Sequence, residues 1–312
     1  MQDTIKTVFL FPGQGSQSIG MGKGFYDSFD VAKEMIEDAS DRIGVDFKKL
    51  LFEENDLLEK TQYTQPAILL VSSIAHKIFE NEMMIKSIFA LGHSLGEFSA
   101  LVSVGALDYL DAIELTHQRG KLMSENCKDI EAGMMALIGL SDEKVEEITK
   151  EQREKGKKVW AANYNSNGQI VIAGIKKDLA ELEDVFKKAG AKRAILLNMS
   201  VASHCPLLLD ASEALVPYLE KFLKDEFIAP VVSNVTARPY ETKKEAVQLL
   251  SKQLIMPVLY KQSIEYIDEY ADMYIEFGGS VLKGLNRRIT KKPTLSIIDP
   301  DSLSKVCEEL SK

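Results

Sequence analysis

One serine in the sequence lies where a catalytic nucleophile would be expected. The segment Gly92–Gly96 reads Gly-His-Ser-Leu-Gly, which fits the G-x-S-x-G pattern of a nucleophile elbow. An apolar stretch at 87–91 precedes it, and an apolar helical pattern follows. Such a turn exposes the Ser94 hydroxyl and points the N–H of Leu95, at the helix start, towards an oxyanion. We therefore interpret Ser94 as a nucleophile, with an ordinary tight turn as the alternative.

A serine nucleophile needs a base, and the chain has four histidines. His76 and His117 share helix faces with polar residues, so both are expected to be solvent-exposed. His93 adjoins the serine and is expected to support the turn. His204 lies in a loop before a proline-initiated apolar helix, whose N-terminus would keep an imidazole neutral. His204 is thus the predicted base, unless it only caps that helix. Because no aspartate is marked as a third member, we predict a dyad oriented by a backbone carbonyl.

Arg119 lies on the apolar face of a predicted helix. At 100° per residue it shares that face with Ala112, Thr116 and Met123. An unpaired buried charge is costly, and no acid lies three or four residues away on this face. The guanidinium therefore pairs either with a distant acid or with a carboxylate of the substrate, which arginine binds well in a bidentate manner.

The glycine-rich loop Gly13–Gln17 invites comparison with a dinucleotide-binding fingerprint. It does not fit, because Ser18 stands where the third glycine is needed and no strand-ending acid follows about 20 residues later. The glycine-flanked Gln14 can instead present its backbone N–H to an oxyanion.

The elements that position these residues indicate an α/β fold. The predicted elements of the first part are a strand at 8–11, a helix starting at Pro66, a strand at 87–91 and a helix from Asp108 or Asp111 to about Asn126. Between 134 and 197, short strands and two polar helices alternate as β-α-β-α-β, which is typical of a small ferredoxin-like α+β unit. We therefore predict an α/β main domain that is interrupted by a small inserted domain.

Composition narrows the class of protein. The chain has 312 residues, of which 45% are hydrophobic and 27% charged, as in an ordinary globular protein. The net charge of −9 argues against binding to nucleic acid or an anionic membrane. No window approaches 18 consecutive apolar residues, and no signal-peptide pattern is visible. Three scattered cysteines indicate a reduced, cytoplasmic protein without a disulfide framework.

Seven motifs in the same order resemble the malonyl-CoA:acyl carrier protein transacylase family, nearly end to end. These motifs are Phe11–Gln17, Thr64–Ala67, Gly92–Glu97, Gln118–Gly120, Asn163–Ser166, Ser203–Cys205 and the stretch from Gln253 and Leu254 to Pro257 and Val258. Two positions depart from the family pattern: the aromatic residue usual directly after Val258 is displaced to Tyr260, behind Leu259, and Gly278–Ser280 stands where Gly-Pro-Gly is usual.

The resemblance implies a fold with defined boundaries. The implied main part is an α/β-hydrolase-like catalytic subdomain with a parallel sheet, at 1–128 and 199–312. The implied insertion is a ferredoxin-like subdomain at 129–198.

The resemblance also implies a role for each site residue. Ser94 would be the nucleophile and His204 the base, with the Gln253 carbonyl orienting the imidazole. The residues expected to bind substrate are Gln14 and Leu95 through their N–H groups, Arg119 through the malonyl carboxylate, and Asn163 beside the substrate channel.

The reaction implied by the family is transfer of a malonyl group from malonyl-CoA to the phosphopantetheine thiol of acyl carrier protein, in fatty acid synthesis. It needs no metal and no redox cofactor. We expect a monomer with no nucleic-acid or membrane partner. The main alternative is a serine hydrolase or thioesterase that acts on acyl-CoA-like esters, and a scaffold with a decayed site is a third. Arg119 favours the transferase, since a general esterase has no use for a buried cation.

Overall fold

The computed structural model describes residues 5–199 and 201–311. The helices in these ranges are α1 (Lys23–Ser28), α2 (Asp30–Ile43), α3 (Phe47–Phe52), α4 (Thr61–Glu82), α5 (Gly96–Ser103), α6 (Tyr109–Asn126), α7 (Asp142–Glu154), α8 (Lys176–Lys188), α9 (Leu209–Phe222), α10 (Lys243–Gln253), α11 (Tyr260–Ile267), α12 (Val281–Asn286) and α13 (Pro300–Leu310). The strands are β1 (Thr7–Phe11), β2 (Ser87–Gly92), β3 (Ala132–Ile138), β4 (Val159–Ser166), β5 (Gln169–Ile175), β6 (Arg193–Leu196), β7 (Val231–Val232), β8 (Pro239–Tyr240), β9 (Met273–Phe277) and β10 (Thr294–Ile297). None of the helices in the described ranges is long and apolar enough to cross a membrane.

The larger sheet confirms the predicted α/β fold with a largely parallel sheet. Its strand order is β10-β9-β1-β2-β7-β8, and every neighbouring pair is parallel except β7 with β8. Strands β1 and β9 are buried along their whole length, which explains why all their residues except Thr7 and Glu276 are apolar. Phe11 of β1 pairs with Gly92 of β2, so the loops after these two strands leave the sheet side by side. These loops carry Gln14 and Ser94.

The smaller sheet has four antiparallel strands in the order β4-β5-β3-β6. Its elements follow one another as β3-α7-β4-β5-α8-β6, one strand more than the sequence pattern predicts. Strand β4 escapes prediction because Asn163 and Asn165 interrupt its apolar residues. Both asparagines are buried, since β4 faces the rest of the protein. Val258 joins the two parts: its N–H donates to Ala162, and its carbonyl accepts from the N–H of Tyr164.

Helix α4 begins at Thr61, earlier than predicted, and Pro66 lies inside it. Proline has no N–H to donate to the carbonyl four residues before it, here that of Gln62. His117 of α6 supplies another donor, since its Nδ1 lies 2.7 Å from the Gln62 carbonyl oxygen. The prediction that His117 is exposed is therefore wrong. Its side chain is buried where it satisfies the carbonyl that Pro66 leaves free.

The prediction of an exposed His76 is wrong in part, because its side chain is half-buried. Its ring centroid lies 5.4 Å from that of Phe9 and 5.1 Å from that of Phe277, in edge-on contact. Burial lowers the pKa of His76 to about 4. Its polar neighbours Ser72 and Ser73 are buried. Helix α4 packs against both α6 and the sheet, so polar residue types on one of its faces do not mark a solvent-exposed side.

Gly120 lets α6 approach α4 closely. A Cβ at this position would lie 2.5 Å from the Cα of Gln62 and 2.7 Å from the carbonyl oxygen of Thr61. No real Cβ makes such contacts, so the spacing between the two helices depends on glycine here. This spacing in turn places the preceding residue, Arg119, between the helices and the Ser94 turn.

Replacing Gly120 with alanine should therefore lower the free energy of unfolding by about 1–3 kcal/mol, the usual cost of overpacking. The measurement is a denaturant titration of the purified variant. Gly284, in α12, is the matched control, because a Cβ there would contact nothing within 4 Å. Alanine at 284 should raise the free energy of unfolding by up to about 1 kcal/mol, as it does in an exposed helix. Equal effects at the two positions would contradict this account of the helix spacing.

Candidate active site

Ser94 lies in a sharp turn between β2 and α5, with a φ of 53°. Residues with a side chain rarely adopt this left-handed conformation. A Cβ on Gly92 would lie 1.8 Å from the carbonyl carbon of Gly96, and a Cβ on Gly96 would lie 2.0 Å from the carbonyl oxygen of Phe11. Both glycines of the motif are thus sterically required, and the turn presents the Ser94 side chain to a cavity of about 260 Å³.

His204 contacts Ser94 directly. Its Nε2 lies 2.9 Å from Ser94 Oγ, and its Nδ1 lies 2.6 Å from the carbonyl oxygen of Gln253. A carbonyl only accepts, so Nδ1 carries the ring proton and Nε2 can accept the proton of the serine hydroxyl. Gln253 is the last residue of α10, where main-chain carbonyls have no partner within the helix. The structure thus places a carbonyl where a triad has its carboxylate.

The imidazole of His204 is neutral at physiological pH. Burial, followed by the nearby charge of Arg119, lowers its pKa to about 3. The sequence suggested a helix N-terminus as the cause, but burial is the largest contribution. The residues after Cys205 form a 3₁₀ turn, Pro206–Leu208, before α9 begins.

Two main-chain N–H groups lie at the cavity beside Ser94. Gln14 and Leu95 line the cavity, and within the described ranges neither N–H donates a hydrogen bond. The side chain of Gln14 is held in place, because its Oε1 accepts a hydrogen bond of 3.0 Å from Thr61 Oγ1. Free N–H groups of this kind are the usual donors to an oxyanion.

Arg119 is 1% exposed and reaches the same cavity. Its Nη1 donates to Gln65 Oε1 at 2.6 Å, and its Nη2 donates to Gln253 Oε1 at 2.9 Å and to Ser94 Oγ at 3.3 Å. All these acceptors are neutral. Its buried Nε has no partner among the described residues. Burial lowers the pKa of Arg119 to about 10, so the guanidinium stays charged at neutral pH with donor capacity to spare.

Asn163 lines the cavity from β4, so six of the seven residues singled out from the sequence lie around one space. The seventh, Gln253, does not line the cavity but contacts His204. Asn165, which neighbours Asn163, fixes His93, whose Nε2 lies 2.7 Å from Asn165 Oδ1. The His93 ring therefore contacts β4 and holds the turn against the second sheet. Among the described residues no group of three or more potential metal ligands occurs.

Sequence reasoning did not assign a role to three polar residues that support the site. Asn234 bridges the turn, because its Oδ1 accepts from the Ser94 N–H at 2.6 Å and its Nδ2 donates to the Gly92 carbonyl at 2.7 Å. Gln65 holds Arg119, as described above. Glu97 accepts from the N–H of Asn234 at 3.1 Å. A signal existed for Asn234, since it follows β7 at the edge of the sheet where Ser94 follows β2.

Comparisons with known proteins agree with this geometry. The family model of an acyl transferase domain matches residues 8–277. A malonyl CoA-acyl carrier protein transacylase of Bacillus subtilis is 37% identical over 311 residues, which cover 98% of each chain. The crystal structure of a malonyl-CoA:acyl carrier protein transacylase from Helicobacter pylori has a TM-score of 0.95 and 47% identity, over 99% of each chain.

A further solved structure contains a carrier protein. It shows a type II PKS acyl-carrier protein in complex with its malonyl-transacylase, which is 36% identical to this chain with a TM-score of 0.93, over 97% of this chain and 99% of that one. These similarities extend over nearly the full length and include every element that carries the site. The chain therefore belongs to the acyl transferase family and, within it, to the malonyl-CoA–acyl carrier protein transacylases.

Proposed function

We propose that this protein transfers a malonyl group from malonyl-CoA to the phosphopantetheine thiol of acyl carrier protein, in support of fatty acid synthesis. The observation that carries the proposal is the buried Arg119, a cation with free donor capacity beside a serine–histidine pair. A terminal carboxylate is the group such a guanidinium binds best. The partner is supported by the similar transacylase solved with its acyl-carrier protein.

The first half-reaction acylates Ser94. Its Oγ attacks the thioester carbon of malonyl-CoA while His204 Nε2 accepts the hydroxyl proton. The N–H groups of Gln14 and Leu95 stabilise the oxyanion, and Arg119 holds the malonyl carboxylate. The carbon–sulfur bond then breaks, and His204 returns the proton to the departing thiolate of coenzyme A. The main-chain carbonyl of Gln253 stabilises the imidazolium that forms in between.

The second half-reaction runs the same steps with a different thiol. The phosphopantetheine thiol gives its proton to His204 and attacks the malonyl-serine ester, and Ser94 leaves with that proton. Asn163 borders the channel through which both thiols would reach the ester. The steps balance without any metal or redox cofactor.

A serine hydrolase or thioesterase would use the same dyad with water as the acceptor. The relatives described above are named transacylases, which does not favour this alternative. Arg119 also argues against it, because a general esterase gains nothing from a buried cation at the acyl end of its substrate.

We also propose a division into subdomains. The β-α-β-β-α-β order of the smaller sheet supports a ferredoxin-like subdomain at 129–198. The largely parallel sheet with a serine elbow after β2 supports an α/β-hydrolase-like subdomain at 1–128 and 199–312. The free thiols of Cys127, Cys205 and Cys307 fit the reducing cytoplasm that the sequence predicts.

Incubation with radiolabelled malonyl-CoA in the absence of carrier protein should leave a covalent label on the protein. Without the phosphopantetheine thiol, no acceptor removes the malonyl group from Ser94. The label should be absent from Ser94→Ala and should disappear from the wild type when phosphopantetheinylated carrier protein is added. A label that water removes as fast as it forms would instead indicate the hydrolase.

Removing either member of the dyad should lower turnover by at least about 10³-fold, because the two residues act as a unit. For the same reason the Ser94→Ala/His204→Ala double variant should be about as slow as the slower single variant. Steady-state transfer rates of the three variants provide the measurement. A double variant far slower than either single one would contradict the pairing.

Arg119→Ala should lose malonyl transfer selectively. Removing one partner of a buried charge pair costs about 3–5 kcal/mol, which corresponds to a loss of roughly 10²- to 4 × 10³-fold in kcat/KM for malonyl-CoA. Transfer of an acetyl group should be retained or improved, since an acetyl chain has no carboxylate to bind. Arg119→Lys should recover little, because a point charge does not reproduce the planar fork of donors.

The measurement compares kcat/KM for malonyl-CoA and acetyl-CoA on variants whose folding is verified by circular dichroism. Equal losses for the two substrates would show that Arg119 is structural, and the choice of substrate would then lose its main support.

A further inference from the structure

Among the described residues, no acid pairs directly with Arg119, but Glu97 lies behind one of its neutral partners. Glu97 is fully buried, and its Oε2 accepts from Gln253 Nε2 at 2.7 Å. The other end of the same amide, Gln253 Oε1, accepts from Arg119 Nη2 at 2.9 Å. The amide therefore lies between a buried cation and a buried acid, with its oxygen towards the cation and its NH₂ towards the acid.

The surroundings of Glu97 suit an ionised carboxylate. Besides Gln253, the main-chain N–H of Asn234 donates to Oε2 at 3.1 Å, and the Tyr240 hydroxyl donates to Oε1 at 3.0 Å. All three neighbours are donors, and an ionised carboxylate only accepts. The donors and acceptors of all these contacts are thus consistent with an ionised Glu97 that pairs with Arg119 through the side-chain amide of Gln253.

We propose that Glu97 is the resident counterion of Arg119, coupled to it through the Gln253 side chain, and that it limits how strongly the site holds an acyl group with a terminal carboxylate. This inference rests on the proposed function, in which Arg119 binds the malonyl carboxylate. Glu97 lines no part of the cavity and does not touch the substrate, so it is a positioning residue that acts through Gln253 and Arg119.

The physical argument concerns two like charges that share one cation. Without substrate, Glu97 offsets the cost of burying the guanidinium. When a malonyl carboxylate binds Arg119, it is repelled by the ionised Glu97 on the far side of the amide. Two charges about 10 Å apart at an effective dielectric constant of about 20 interact strongly enough to change binding about tenfold. An acetyl chain has no charge and is not repelled.

The repulsion should depend on pH. Burial raises the pKa of Glu97 to about 7, against the hydrogen bonds from Gln253, Asn234 and Tyr240 and the charge of Arg119, which lower it. Glu97 is therefore neutral below this pH and ionised above it, so preference for malonyl should fall as the pH rises through about 7.

Tyr240 and Arg119, the two ionisable groups that lower the pKa of Glu97, do not titrate in that range. The pKa of Tyr240 is raised well above its usual value by burial, and that of Arg119 is lowered only to about 10. The pKa of His204 is about 3, so the dyad stays in one protonation state between pH 6 and 8.

The test is Glu97→Gln, which removes the charge and keeps the shape. The new amide oxygen can accept from Asn234 and Gln253, and its NH₂ can donate to the Tyr240 oxygen. We would measure kcat/KM for malonyl-CoA and for acetyl-CoA at pH 6 and pH 8, since this ratio reports acylation alone and excludes the carrier thiol. The malonyl-to-acetyl ratio of the variant should exceed that of the wild type about tenfold at pH 8 and match it at pH 6.

Two further variants make the test specific. Glu276→Gln is the matched control: Glu276 is another buried glutamate whose pKa burial raises to about 7, but it binds the N–H groups of Leu282 and Lys283. It should leave the ratio unchanged at both pH values.

Tyr240→Phe removes a hydrogen bond that lowers the pKa of Glu97, so the midpoint of the pH dependence should move to higher pH. If Glu97→Gln does not fold, the shift of this midpoint in Tyr240→Phe tests the proposal instead.

A thermal double-mutant cycle tests the ion pair independently of activity. At pH 8, Arg119→Met should lower Tm by at least about 3 °C less in the Glu97→Gln background than in the wild type. Equal losses in the two backgrounds, or a malonyl-to-acetyl ratio that Glu97→Gln leaves unchanged at pH 8, would overturn the role of Glu97. Neither outcome would contradict the proposed function, whose own tests are the malonyl label on Ser94 and the selective loss of malonyl transfer in Arg119→Ala.

Discussion

The geometry of the active site depends on Gln253, the last residue of α10. Its main-chain carbonyl lies at a helix end and so has no partner within the helix. It accepts a hydrogen bond from His204 Nδ1 and thereby keeps the ring proton on that nitrogen. Its side chain holds Arg119 with the oxygen and binds the Ser94 carbonyl and Glu97 with the nitrogen. A shift of α10 by about 1 Å would therefore disturb base, cation and nucleophile at once, and misplacements of that size are costly in catalysis.

The two members of the dyad share an unfavourable backbone conformation. Ser94 has a φ of 53° and His204 a φ of 62°, and such residues cost about 1–3 kcal/mol each unless their surroundings enforce them. At Ser94 the surroundings are the glycines of the elbow and the Asn234 side chain. This side chain forms hydrogen bonds with the N–H of Ser94 and the carbonyl of Gly92. At His204 they are two hydrogen bonds and complete burial of the ring. Of the three non-glycine residues with positive φ in the described ranges, two thus lie where function requires side chains in fixed directions, and the third is Ala237.

Much of the fold could be predicted from periodicity, and the failures have a common cause. Strands β1, β2 and β9 were predictable because each contains a run of at least three consecutive apolar residues. Strand β4 was not, because Asn163 and Asn165 face a polar cavity that no local pattern announces. His117 was assigned to a solvent-exposed face although it satisfies the carbonyl that Pro66 leaves without a donor. In both cases a polar residue is buried because it finds a hydrogen-bond partner on another element.

The sequence by itself determined the chemical types and the local geometry of this site. The glycines around Ser94, and a lone arginine on an apolar helix face, each depend on a few neighbouring residues, and spacing is enough to reveal them. Only the tertiary structure decided which residues meet. Asn234 contacts the Ser94 N–H across 140 residues of chain, and Glu97 reaches Arg119 only through Gln253. Such contacts arise where the ends of separate strands and helices converge, and no periodicity within one segment contains that information.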